Sequence, residues 1–95
     1  MTKSELIKEI SAQTGEDINQ TIKIVEALMK TIKKSLTNNK NVYLRGFGSF
    51  IIIKKAKKTA RDIRKSKTVI IPEHFAPKFK PVKSFMIEVK ENLKK

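Results

Sequence analysis

The chain has 95 residues, with 22 Lys and Arg against 9 Asp and Glu and a formal net charge of +13. Its length bounds it to one domain, residues 1–95, and its charge marks the partner as a polyanion, nucleic acid before an anionic membrane surface. The absence of Cys excludes a disulfide scaffold and a thiolate metal site; no apolar run approaches membrane-spanning length, and Met1-Thr2-Lys3-Ser4-Glu5 lacks the apolar segment of a secretory signal. A chain this small buries a limited share of its surface, so an oligomer is expected to supply the remainder.

Thr2 and Glu5 fit a capping box, with Thr2 as N-cap and Glu5 at the third helical position. Leu6, Ile7 and Ile10 follow at helical spacing and Gly15 is a stop, so the first helix covers roughly residues 3 to 13. Its start leaves N–H groups free near Lys3 and Ser4. These form either a phosphate site or a plain solvated helix end. Asp17 caps a second helix, with Gln20 three residues on. Ile18, Ile22, Val25, Met29, Ile32 and Leu36 then alternate at spacings of four and three, broadened by Ile24 and Leu28, which predicts a helix from about 18 to 37. A stripe that wide faces two surfaces, the first helix and a partner subunit. Lys23, Lys30, Lys33 and Lys34 make the solvated face.

Residues 37–41 are a turn by composition and Val42-Tyr43-Leu44 a short strand. In Arg45-Gly46-Phe47-Gly48-Ser49-Phe50 two glycines flank a Phe, which predicts a tight strand-to-strand turn where the backbone passes close to a neighbour. This is no nucleotide loop, because no helix and no third glycine follow. Phe50-Ile51-Ile52-Ile53 and Thr68-Val69-Ile70-Ile71 are apolar strand runs. Between them, residues 54–67 hold eight Lys or Arg and one acid, Asp62. Two such runs joined by a polar connector read as a β-hairpin. No Gly or Pro interrupts 54–67, so the connector itself is expected to be paired strand. So many charges are too costly to bury, and the ribbon projects into solvent. The competing reading is a solvated basic loop.

Pro72 ends the returning strand or sits on its edge. His74, the sole His, has no Cys, second His or nucleophile pattern nearby, so an exposed or capping role is expected in place of metal binding or catalysis. Phe75 to Lys83 alternates apolar and basic residues as far as Pro81. Ser84 then caps a last helix whose stripe is Phe85, Met86, Val89 and Leu93, with Lys94 and Lys95 fraying. The order is helix, helix, three antiparallel strands with a protruding ribbon arm, short helix: an α+β fold.

Over essentially its whole length the chain resembles the bacterial HU/IHF histone-like DNA-binding proteins. The resemblance rests on Lys3-Ser4-Glu5-Leu6-Ile7, on Val42-Tyr43-Leu44-Arg45-Gly46-Phe47-Gly48-Ser49-Phe50, and on Ile71-Pro72 with Phe79-Lys80-Pro81. It implies an intertwined dimer, homomeric or paired with a paralogue, with a helical body below a sheet saddle. Its arms, about residues 54–71, reach through the minor groove of duplex DNA. It also implies that Phe47, Phe50 and Phe79 are core under the saddle and not base-stacking groups. The DNA-binding residues implied are Lys3 at the first helix; Arg45, Gly46 and Gly48 at the turn; Lys54, Lys55, Lys57, Lys58, Arg61, Asp62, Ile63, Arg64, Lys65 and Lys67 on the arm; and Lys78, Lys80 and Lys83 beyond it. The tip departs from the family's Arg-Asn-Pro-x-Thr-Gly. Here it reads Arg61-Asp62-Ile63-Arg64-Lys65-Ser66, with Ile63 in place of the wedge proline and Ser66 in place of the turn glycine.

The expected function is architectural: a non-enzymatic protein of the cytoplasmic nucleoid that binds, bends and compacts double-stranded DNA with weak sequence specificity. It needs no cofactor, metal or membrane. A site-specific bending factor of the IHF type is the alternative within the family. A basic RNA-binding protein is the first rival outside it, and it would display exposed stacking aromatics. A membrane-surface binder would need an amphipathic helix with lysines opposite a large apolar face. No carboxylate pair, nucleophile–His pair or metal cluster can be assembled for catalysis.

Overall fold

The computed structural model describes residues 1–62 and 67–94, the side chains of Arg61 and Asp62 excepted. The chain falls into two compact units, Met1–Ser35 and Leu36–Lys95.

The first unit is helical. Helix α1 spans Lys3–Thr14. The Thr2 hydroxyl accepts from the Glu5 N–H at 3.2 Å, and Gly15 closes the helix in the left-handed region at φ 75°, its N–H donating to the Ser11 carbonyl. Glycine takes that conformation without a Cβ penalty, so the end coincides with the sequence's stop signal. Helix α2 spans Ile18–Thr37. Asp17 caps it with one carboxylate oxygen that accepts from the N–H groups of Asn19 at 3.0 Å and Gln20 at 3.3 Å. Ile7 and Val25 are the buried apolar residues of this unit, together with Thr21. The Thr21 hydroxyl donates to the Asp17 carbonyl at 3.0 Å, so its polar atom is satisfied one turn back. Most of the stripe is uncovered: Ile18, Ile22, Ile24, Leu28 and Met29 are exposed, Ile24 by 64 %, while Ile32 is half-buried and Leu36 is buried.

The second unit is built on a three-stranded antiparallel sheet in the order β1-β2-β5, with β1 Val42–Leu44, β2 Gly48–Lys55 and β5 His74–Pro81. The β1–β2 turn is closed by the Phe47 N–H donating to the Leu44 carbonyl at 3.0 Å, with Gly46 at φ 81° in its third position. A turn of that shape demands a positive φ there, which favours glycine. Phe50 pairs with Phe79, Ser49 with Lys80 and Ile51 with Lys78. The chain continues into a two-stranded ribbon, β3 Lys58–Asp62 against β4 Lys67–Ile71. The ladder is interrupted between Lys55↔His74 and Lys58↔Ile71. Residues 56–57 and 72–73 face each other in the gap. Pro72 sits there, and it has no N–H to donate to the opposite strand.

Helix α3 spans Lys83–Asn92. Its N-cap is Val82, with no side-chain cap, and not Ser84 as the sequence suggests. The Val82 N–H is drawn to the Phe47 carbonyl at 3.0 Å, which starts the helix early and leaves Ser84 inside the first turn. The core of this unit is aromatic. Ring centroids of Phe47 and Phe79 lie 5.1 Å apart, Phe50 and Phe79 5.0 Å, and Phe47 and Phe85 5.4 Å. Phe85 from α3 completes the cluster expected of Phe47, Phe50 and Phe79, while Phe47 keeps 44 % of its surface exposed.

Candidate nucleic-acid interface

Pairing sets which cations share a face. On the sheet, Phe50, Phe79 and Ile52 point to the aromatic side, so the intervening Ser49, Ile51, Lys78 and Lys80 point to the other. Tyr43 joins them, because it pairs with Ser49. Lys78 and Lys80 are therefore exposed on one face, with Lys55 at its far end opposite His74.

Lys54 alternates to the aromatic side and forms an exposed ion pair with Glu73 at 3.0 Å. Glu73 lies in the gap between sheet and ribbon, and the His74 Nδ1 is 3.0 Å from the Pro72 carbonyl oxygen in the same stretch. Lys57 occupies the gap on the other strand. Lys58 opens the ribbon opposite Ile71, and Lys67 reopens it opposite Asp62. Arg61 pairs through its backbone with Thr68. Ile63, Arg64, Lys65 and Ser66, the proposed tip, lie outside the described residues. Exposed Val69, Ile70 and Ile71 give the ribbon apolar flanks between its cations.

Arg45 and Gly46 form the exposed β1–β2 turn. Gly48 is buried, and its close neighbour lies within the fold. A Cβ there would come within 2.6 Å of the Lys80 carbonyl oxygen and 2.7 Å of the Phe79 ring. Its lack of a side chain lets β2 and β5 approach. Lys83 is exposed at the start of α3. Lys3, in the first unit, is ion-paired with Glu26 across the two helices. Sequence reasoning passed over Tyr43, Ser49 and Glu73. Period-two alternation would have put Ser49 on the face of Ile51, but only the pairing register brings Tyr43 and Lys80 to it.

Among the described residues, no helix is long and apolar enough to cross a membrane. Residues 1–90 match the family model described as bacterial DNA-binding protein. The chain is 40 % identical over 98 residues to an integration host factor subunit beta of Hahella chejuensis, covering 99 % of this chain and 97 % of that one. It is 34 % identical over 90 residues to the DNA-binding protein HU of Thermotoga maritima, covering 95 % and 100 %. Among solved structures, an Anabaena HU–DNA cocrystal structure superposes with a TM-score of 0.85 at 26 % identity, covering 94 % of this chain and 97 % of that one.

Proposed function

Because the chain belongs to the bacterial DNA-binding family of HU and integration host factor, we propose that it bends and compacts double-stranded DNA as a dimer, residues 1–95 acting as one module. The observation that carries this reading is the basic ribbon that prolongs β2 and β5 away from the aromatic core. Two-stranded ribbons bind in the major or the minor groove of DNA, and the cations here would neutralise phosphates along the way. Lys54, Lys55, Lys57, Lys58, Arg61, Arg64, Lys65 and Lys67 supply the arm. Arg45, Gly46, Lys78, Lys80 and Lys83 supply the flank, and Lys3 an outlying contact. Arg45 and Arg61 suit a narrowed minor groove, where the negative potential is highest. The protein works as a structural component of the nucleoid, not as an enzyme.

The uncovered apolar face of α2 supports the second copy: Ile18, Ile22, Ile24, Leu28 and Met29 stand exposed in the single chain. Sedimentation of the purified protein at low micromolar concentration is expected to return a dimer. A stable folded monomer there would overturn this part of the reading.

At each tip Ile63 acts as the wedge. Minor-groove architectural proteins, this family among them, insert an apolar side chain into a base step at a cost of a few kcal/mol and recover it in contacts along the bent flanks. Ile63→Ala is therefore expected to reduce bending more than affinity, and Arg61→Ala to weaken binding chiefly. Energy transfer across an end-labelled duplex measures the bend, and a bend in Ile63→Ala as large as the parent's would remove the wedge. Similarity to integration host factor subunits keeps a site-specific bending factor as the second reading. Competition between intact, nicked and four-way-junction DNA and a panel of duplex sequences separates the two.

A further inference from the structure

Tyr43 is an aromatic residue that the fold leaves in the open. It is 71 % exposed, on the edge strand β1, on the sheet face opposite the phenylalanine cluster. Its phenol is nonetheless held. The Asn41 side-chain carbonyl accepts from the Ile52 N–H at 3.1 Å, which turns the Asn41 amide nitrogen outward to donate to the Tyr43 hydroxyl oxygen at 3.2 Å. An amide nitrogen can only donate, so the phenol oxygen is the acceptor in that contact and its own proton is left to donate elsewhere. Asn41 thus extends the β1–β2 ladder by one bond and orients a hydrogen-bond donor toward solvent.

The donor does not stand alone. Tyr43 pairs with Ser49, and Ser49 with Lys80, so two hydroxyls and an ammonium form one row across three strands. Lys78 lies one step further along the same face. Across its three paired strands that face carries Tyr43, Ser49, Ile51, Ile53, Lys55, His74, Ala76, Lys78 and Lys80, with no carboxylate among them. A surface of donors and cations without an acid matches an anionic oxygen. The row is also broad, about 10 Å over two strand spacings, whereas the minor groove is about 6 Å wide. A face of that breadth does not enter the minor groove that the arms are proposed to follow, and it meets the sugar–phosphate ridges beside it.

We propose that Tyr43 is a phosphate-binding residue of the sheet face, its hydroxyl donating to a backbone phosphate oxygen of duplex DNA beside Lys80, with Asn41 as the positioning residue. The proposal rests on the DNA-bending reading above and adds to it a neutral contact outside the arms. Three consequences separate it from a merely exposed tyrosine. Tyr43→Phe removes one oxygen and no charge, so affinity falls while the salt slope stays where it was. Lys80→Ala, by contrast, lowers the slope by about one per contact. The loss in Tyr43→Phe is the same on every duplex sequence, because a phosphate carries no base identity.

The test is fluorescence anisotropy of labelled duplexes of several sequences against parent, Tyr43→Phe and Lys80→Ala over a range of salt concentrations, with the variants first checked by thermal melting. The expected result is Tyr43→Phe weaker by roughly 10-fold or more, the range of a hydrogen bond to a charged acceptor, at unchanged slope on all sequences. A parent that binds tightly alongside an equally tight Tyr43→Phe would sink the phosphate contact and leave the DNA reading standing. A loss confined to particular sequences would replace the phosphate by a base edge. A parent that binds no duplex would bring down the DNA reading itself.

Discussion

Raising salt from about 50 to 200 mM is expected to weaken duplex binding by roughly 10³-fold or more. The net charge of +13 sets the sign, but its placement sets the size. Eight of the cations lie between residues 54 and 67, and among the described residues Lys58, Arg61 and Lys67 stand on the paired strands of the ribbon, the element proposed to follow the phosphates. Each phosphate neutralised releases condensed counterions, and six or more contacts reach the stated loss, with a slope near −0.9 per contact. Among the described residues of this stretch, Lys54 is ion-paired, to Glu73. That pair is exposed, and exposed pairs contribute about 0–1 kcal/mol, so a phosphate replaces the carboxylate readily. Glu73→Gln should accordingly raise affinity slightly at low salt. The measurement is the slope of log affinity against log salt by anisotropy. A nearly flat line would mean that the ribbon's charge is idle in binding, and the proposed mechanism would be wrong.

Phe79→Ala is expected to destabilise the fold by about 3 kcal/mol, the lower end of the range for a core Phe. Phe79 is the hub of the second unit. It lies within 5.1 Å of Phe47 and 5.0 Å of Phe50, and at 6.4 Å from Phe85, so one ring joins the β1–β2 turn, the central strand and α3. Removing it leaves a void against three aromatic neighbours that the strand pairing of Phe50 with Phe79 holds in place. The lower end applies because none of these rings is fully buried in the single chain. In a domain of this size the loss corresponds to a drop of about 15 °C in Tm. Melts followed by circular dichroism must be compared at one protein concentration, because the stability of the proposed dimer would depend on it. A variant within about 1 kcal/mol of the parent would show that the aromatic cluster is not the core of this unit.

The two long helices were legible in the sequence because their determinants are local. Thr2, Gly15 and Asp17 act on backbone groups within four residues of themselves, and the α2 stripe repeats every turn. The same stripe carried the expectation of a partner, since more apolar surface recurs along it than α1 covers. The turn glycines and the basic run marked the hairpin and its ligand class for the same reason, as did the motif that placed the chain in its family. What the tertiary structure decided is non-local. Ser84 has a good capping side chain, yet the Val82–Phe47 hydrogen bond starts α3 one residue before it. Thr21 is polar and still buried, because its hydroxyl is satisfied by the preceding turn. Gly48 is required by the Phe79 ring and the Lys80 carbonyl on a strand some thirty residues away. Most of all, the register that sets Tyr43, Ser49 and Lys80 in one row depends on which residue of β5 faces which residue of β2. A shift by one residue would turn every side chain on β5 to the other face, and nothing in the local sequence reports that choice.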